Sequence, residues 1–245
     1  MGQVVTLAEL IAKRNRDYSR MNISDEELKA YEERQRQKFC EEWKKDTERK
    51  QLEQIEKSLD ESGLRESIRT KTFDAFVAEE PWQQKAKGIC ERYADNPQGW
   101  LFISGPSGCG KTHLCTAVVG RLIDQGIPVR YMLYRQEIGR LKPMGDNKAQ
   151  AKEDLQKLKT CRLLYIDDLF KGGTSGSEIR IMFDLLDFRY RGNLKTIIST
   201  ELSSEQLTEI DEAIAGRILE KSRKVLINSV PGRNYRLKNK NYINV

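Results

Sequence analysis

Apolar positions are sparse over the first sixty residues of this chain and dense after them. Leu28, Tyr31, Phe39, Trp43, Leu52, Ile55 and Leu59 recur at rough helical spacing in an otherwise polar stretch, and the stripe breaks at KKDTERKQ, Lys44 to Gln51. Ser24-Asp25-Glu26-Glu27 has the S-x-x-E form of a helix-capping box. A helix this polar buries little surface by itself, so residues 1–62 are expected to be a charged arm or small helical module that needs a partner. Phe39 and Trp43, four residues apart, are its adhesive spot, either for that partner or for packing on neighbouring helices. Glu61-Ser62-Gly63 reads as a hinge into a second region, residues 63–245.

Beyond the hinge the pattern changes to ordinary half-buried helix, roughly Gln83 to Ala94, closed by the turn Asn96-Pro97-Gln98-Gly99. Short apolar runs then alternate with amphipathic stretches. Strands are predicted at Trp100–Ile103, Val129–Leu133, Arg162–Ile166, Thr196–Thr200 and Val225–Asn228. Helices are predicted at Thr112–Asp124, Glu137–Lys159 and Ser177–Arg191, with Ser204–Ser222 helical in two pieces. Strand–helix alternation of this kind predicts an α/β fold with a five-stranded parallel sheet covered on both faces.

The first of these strands runs into GPSGCGKTHL, Gly105 to Leu114, which meets G-x-x-x-x-G-K-[ST] at every fixed position. A glycine loop between a strand and a helix is the context in which that pattern cradles phosphates. Gly105, Gly108 and Gly110 let backbone N–H groups turn inward around phosphate oxygens, and the helix N-terminus adds partial positive charge. The candidate nucleotide-binding run is therefore Gly105, Pro106, Ser107, Gly108, Cys109, Gly110, Lys111 and Thr112, with His113 beside it. Lys111 is placed to reach the outer phosphates of ATP and Thr112 to hold Mg²⁺ through its hydroxyl. His113 reads as packing at the start of the helix rather than as catalysis.

The partner motif is LLYIDDLF, Leu163 to Phe170: an apolar strand with two carboxylates at its C-terminal end, where open parallel sheets bind ligands. Asp167 is a candidate Mg²⁺ ligand, and Asp168 a candidate to orient or deprotonate an attacking water. One further strand, Val129–Leu133, fits between the phosphate-loop helix and this motif, which places an extra strand between the phosphate-loop strand and the Asp-Asp strand. That layout suits an ATPase that activates water; a small-molecule kinase would show a lid and an acceptor-binding segment, and neither is visible. Ser199-Thr200-Glu201 closes the fourth strand with polar groups placed to sense the terminal phosphate. Arg217 in IAGRILEKS is either a finger toward a neighbouring subunit's nucleotide or a surface arginine in a local ion pair.

Charge sharpens the picture. The formal balance is +6, but residues 1–70 carry 15 Lys+Arg against 16 Asp+Glu, while Arg217 to Val245 carry eight basic residues against Glu220 alone. A basic C-terminal stretch is the footprint expected for nucleic acid, or else a solvated tail. No apolar run approaches the length of a membrane span and no secretory leader is visible, so no membrane partner and a cytoplasmic location are expected. Cys40, Cys90, Cys109, Cys115 and Cys161 form no C-x-x-C pair, and with His113 as the single histidine a zinc site is excluded. Met1-Gly2-Gln3-Val4-Val5-Thr6 fits the loose myristoylation pattern, read here as chance.

Taken together, TFDAF (Thr72 to Phe76), GPSGCGKTHL, LLYIDDLF, MFDLLDFRYRGNLKTIISTELSSEQL and AIAGRI resemble, in residues and order, the DnaC/IstB branch of AAA+ ATPases over about residues 60 to 237. The resemblance is strongest to DnaC-type replicative helicase loaders of phages and mobile elements. It implies a P-loop AAA+ core without a full C-terminal lid domain, preceded by a helical appendage. It implies ATP and Mg²⁺ as cofactors, with Lys111, Asp167, Asp168, Thr200 and Arg217 as catalytic residues. It further implies assembly as a homo-oligomer or with a partner's help, contact with single-stranded DNA, and delivery of a hexameric replicative helicase held by the N-terminal region. Arg189 corresponds to a residue that monitors the nucleotide or the neighbouring subunit. The family usually has Asn where this chain has Glu201; an ionised carboxylate cannot donate to a phosphate, which shifts the sensor role to Thr200. The alternative is the transposition-helper branch, which binds duplex DNA for a transposase. A third reading is a nucleotide-dependent binding module that hydrolyses ATP poorly.

Overall fold

The structure is a computed structural model that describes residues 25–62 and 64–235. Ser24 of the capping box, Gly63 of the hinge and the basic residues beyond Tyr235 lie outside the described residues. The chain divides into two units, Met1–Lys50 and Gln51–Val245.

In the first unit the described residues are one helix, α1 (Asp25–Ser62), which runs on past the division. The segment where the apolar stripe fails, Lys44 to Gln51, is helical throughout. It contains no glycine or proline, its Lys, Glu, Arg and Gln residues are good helix formers, and Asp46 pairs along the helix with Arg49 and Lys50 at 2.5 and 2.7 Å. Phe39 and Trp43 are 54% and 65% exposed, so among the described residues of this unit neither packs on a neighbouring helix.

The second unit is an α/β sandwich. Two helices, α2 (Arg65–Thr70) and α3 (Pro81–Asp95), precede β1 (Trp100–Ser104). Then come α4 (Lys111–Asp124), β2 (Val129–Leu133), the single turn α5 (Tyr134–Glu137), α6 (Lys148–Thr160), β3 (Leu163–Asp167), α7 (Gly176–Arg191), β4 (Lys195–Thr200), α8 (Ser204–Ile210), α9 (Glu212–Lys221) and β5 (Ser222–Leu226). All four strand pairings are parallel, and the lateral order is β2-β3-β4-β1-β5. The strand lying between the glycine-loop strand β1 and the Asp-Asp strand β3 is thus β4; β2, which comes between them in sequence, is at the edge.

Alternation along each strand feeds two cores. Leu101 and Ile103 of β1, with Leu163 and Tyr165 of β3, pack under α3 and α4 with Phe73, Phe76, Tyr93, Leu114 and Val118. Trp100 and Phe102, with Leu164 and Ile166, pack on the other face with Met182, Leu185, Ile214 and Ile218 from α7 and α9. Two boundaries differ from expectation by more than two residues. The predicted helix Glu137–Lys159 is interrupted between α5 and α6, across a segment holding Gly139, Pro143 and Gly145. Strand β5 begins at Ser222, three residues early, because Arg223 and Lys224 sit exposed on an edge strand, where charge is tolerated and apolar patterning fails.

Candidate nucleotide-binding site

The glycine loop joins the C-terminal end of β1 to the N-terminus of α4, whose first turn offers unpaired N–H groups. Gly110 caps the helix at φ 95°, and a Cβ there would come within 2.7 Å of the Phe76 ring. Gly108, at φ 72°, could not carry a Cβ without running into the Asn234 side chain. Phe76 belongs to the TFDAF segment, which a second contact also ties to the loop: His113 Nε2 donates to the Thr72 carbonyl at 2.8 Å and its ring meets Phe76 edge-on. Burial lowers the His113 pKa, partly offset by that carbonyl. His113 is therefore a packing bridge between two segments. Cys109 is buried, and burial raises its thiol pKa, which keeps it an unreactive filler.

Lys111 is buried and its Nζ donates to the Pro106 carbonyl at 2.9 Å, across the mouth of the loop. Thr112 Oγ1 donates to Asp167 Oδ1 at 3.3 Å. Fifty-five residues apart in sequence, these two oxygens meet because β1 and β3 both end at the same edge of the sheet. Asp167 is nearly inaccessible and is oriented by Ser199 Oγ on one oxygen and by Tyr131 OH at 3.2 Å on the other. A hydroxyl and an oriented carboxylate are the hard oxygen ligands that suit Mg²⁺, which usually completes its shell with water and phosphate oxygens. The residues therefore fit the ion: Thr112 and Asp167 would hold it, and it would supply charge neutralisation to the phosphates.

Asp168 follows in a left-handed backbone conformation, φ 56°, with its N–H on Ser199 Oγ at 3.1 Å. Its carboxylate takes a hydrogen bond from Lys171 Nζ at 2.9 Å. That same ammonium is 3.0 Å from Glu201 Oε1. The Lys171 pKa is raised, first by its bond to Asp168.

The remaining candidates are placed less simply. Thr200 is fully buried; its hydroxyl donates to the Leu169 carbonyl at 2.8 Å and accepts from Leu202 N–H at 3.2 Å, so it braces the β3 and β4 turns instead of facing phosphate. Arg217 is engaged within its own chain: Nε and Nη2 lie 3.0 and 2.9 Å from Asp187 Oδ1, and the guanidinium stacks over Phe183. The expectation for Arg189 fails. Arg189 is fully buried and reaches the carbonyls of Leu158, Lys159, Cys161 and Lys195 and the Thr196 hydroxyl. Those partners lie at the C-terminus of α6 and the starts of β3 and β4, the opposite edge of the sheet from the phosphate loop. It is a structural staple.

Sequence reasoning missed Tyr131 and the part that Ser199 plays toward Asp167. Tyr131 and Ser199, which aim Asp167, are set by strand register. Lys171 follows the Asp-Asp pair closely in sequence, yet its bridge to Glu201 spans 30 residues. The described chain after β5 returns to the loop. Ile227 N–H bonds to the Ser104 carbonyl at 2.8 Å, Tyr235 N–H bonds to the Gly108 carbonyl at 3.0 Å, and Arg233 stacks on Trp82 at 4.9 Å. Arg233, Asn234 and Tyr235 thus bring the described end of the chain back to the phosphate loop and to α3.

Comparison with known proteins agrees with this geometry. The IstB-like ATP binding protein family matches residues 22–242. The chain is 31% identical over 206 residues to the uncharacterized protein YqaM of Bacillus subtilis, covering 76% of this chain and 64% of that protein. It is 32% identical over 136 residues to the phage-like element PBSX protein XkdC of the same organism, spanning about half of each (53% and 50%). It is 24% identical over 206 residues to the replicative helicase loader DnaC of Buchnera aphidicola, covering 82% of this chain and 81% of that one. Among solved structures, the DnaC helicase loader superposes with a TM-score of 0.58 at 21% identity over 66% of this chain and 98% of that chain, a likeness of fold.

Proposed function

The chain belongs to the IstB-like ATP-binding family, in the DnaC/IstB branch of AAA+ ATPases, and on that premise we propose that it is an ATP-dependent loader of a replicative DNA helicase. The observation that carries the ATPase part is the meeting of Thr112 and Asp167 beside Lys111, with Asp168 one residue further on. In this reading Lys111 and the loop N–H groups bind the phosphates. Thr112 and Asp167 hold Mg²⁺, oriented by Ser199 and Tyr131. Asp168 accepts a proton from the attacking water or fixes its direction. Arg217 leaves Asp187 on assembly and stabilises charge on a neighbour's nucleotide, so that hydrolysis depends on the oligomer.

Two features support loading as the use of that cycle. The exposed pair Phe39 and Trp43 on α1 is a graft point for a partner such as a hexameric helicase. The similarity to DnaC runs through most of both chains. Single-stranded DNA is the expected nucleic-acid partner, and cytoplasm the expected location; among the described residues no helix is long and apolar enough to cross a membrane. A second reading is an ATPase that binds duplex DNA for a transposase; likeness to ATP-binding proteins of insertion sequences supports it.

Size-exclusion chromatography with light scattering, on the full chain mixed with a replicative helicase and Mg-ATP, tests the choice. Loading predicts a complex that the double variant Phe39→Ser, Trp43→Ser loses while nucleotide binding persists. Absence of any complex, with ATP-dependent coating of duplex DNA, would establish the transposition reading instead. Asp168→Asn is expected to bind ATP normally and to lose turnover; unchanged turnover would remove Asp168 from the mechanism.

A further inference from the structure

Glu201 follows β4 directly at the phosphate-binding edge of the sheet, where a carboxylate and a phosphate would repel one another. Its charge is not left open. Lys171 Nζ stands 3.0 Å from Glu201 Oε1 and 2.9 Å from Asp168 Oδ2, so one ammonium bridges the two carboxylates. Glu201 also senses the phosphate loop: burial pushes its pKa up, and Lys171, Lys111 and Ser107 together hold it below the ordinary value. The loop that delivers Lys171 is tightly shaped. Asp168 and Phe170 both adopt left-handed backbone, at φ 56° and 60°, where non-glycine residues are uncommon. Leu169 is pinned by the Ser199 carbonyl at 2.9 Å and the Thr200 hydroxyl at 2.8 Å, and Phe170 is buried edge-on against Tyr134. A fixed backbone thus carries a long, flexible cation whose side chain remains 42% exposed.

We propose that Lys171 is the donor to the terminal phosphate of a bound nucleoside triphosphate, an assignment that rests on the ATP-site reading above. A phosphate arriving between Glu201 and the glycine loop competes with Glu201 for the same ammonium and repels the carboxylate. Lys171 exchanges Glu201 for the phosphate, and a lysine four residues beyond Asp167 does the work that the residue after β4 cannot. A nucleoside diphosphate lacks the group that competes, so the Lys171–Glu201 pair persists with it. The pair therefore reads triphosphate against diphosphate, and the Lys171–Asp168 bond passes that reading to Asp168, the water-activating carboxylate.

The test is equilibrium binding of Mg-AMP-PNP and Mg-ADP to the full chain and its variants. Lys171→Ala is expected to weaken AMP-PNP about tenfold while leaving ADP unchanged. Glu201→Gln is expected to tighten AMP-PNP with ADP unchanged, and in the Lys171→Ala background to recover part of the loss. Lys171→Arg, which keeps the charge, should lose less than Lys171→Ala. Equal effects on both nucleotides, or none on either, would overturn the assignment and leave the ATP site standing. Wild-type protein that binds neither nucleotide would remove the ATP-site reading, and the Lys171 assignment with it.

Discussion

Replacing Arg189 with methionine separates a structural arginine from a nucleotide monitor. The guanidinium is fully buried between α6, α7 and the starts of β3 and β4. It donates to Leu158, Lys159 and Cys161 carbonyls at 2.9, 3.1 and 3.0 Å and to the Thr196 hydroxyl at 3.0 Å, and it also meets the Lys195 carbonyl. The Leu158 and Lys159 carbonyls belong to the last turn of α6, where a cation also suits the helix dipole. Its partners are carbonyls, a hydroxyl and the Cys161 sulfur, and burial lowers its pKa. Methionine keeps much of the length and relieves the desolvation of a charge, but strands several acceptors at about 1–3 kcal/mol each. Some of these reach water at the edge of the site, so a net loss of about 3–4 kcal/mol is expected. In a domain of this size that lowers Tm by roughly 6–15 °C. Thermal unfolding followed by tryptophan fluorescence, Trp100 being buried and bonded to the Leu194 carbonyl nearby, reads it directly. Nucleotide affinity measured well below the transition should not move. A Tm shift under about 2 °C, or lost nucleotide binding in a protein that is still folded, would refute the staple and return Arg189 to the site.

Three further outcomes follow from particular contacts. Glu178 is held down to about 2 by the Lys142 ammonium and the Ser175 N–H, so its stabilising contribution is present above its ordinary value near 4.5 and is lost as pH falls from there through about 2. The unfolding free energy of wild type minus that of Glu178→Gln should thus shrink by about 1–2 kcal/mol between pH 6 and pH 3, and a pH-independent difference would count against the pair. Gly108→Ala forces a left-handed alanine against Asn234 and should weaken nucleotide binding about tenfold or more, with Asn234→Gly restoring part of it; full affinity in the single variant would show that the segment after β5 does not sit on the loop. Arg217→Ala gives up a partly exposed pair with Asp187 and a stack on Phe183, a loss of about 1 kcal/mol or less. Its turnover should lose dependence on protein concentration while nucleotide affinity holds, as titrating enzyme in an ATPase assay would reveal.

The signals that could be read along the chain are those whose parts are neighbours in it. The glycine loop follows its strand and precedes its helix within a dozen residues, and each strand is a short apolar run. From these the parallel sheet, the phosphate loop and the Asp167-Asp168 pair at a strand end were all legible. Charge and helix propensity likewise made Asp25–Ser62 helical, since that requires only contacts within a turn or two. What lay beyond reach depends on packing between distant residues. Lateral order put β4 between β1 and β3, and register then aimed Ser199 at Asp167 while turning Thr200 inward to brace a turn. Arg189 was drawn into a ring of carbonyls from three elements, a set of partners with no sequence pattern. The return of Asn234 onto Gly108, across 126 residues of chain, and the bridge from Lys171 to Glu201 arise the same way. Backbone periodicity dictates which face a side chain takes locally, but which side chains share a site is settled by how the sheet closes its register around them.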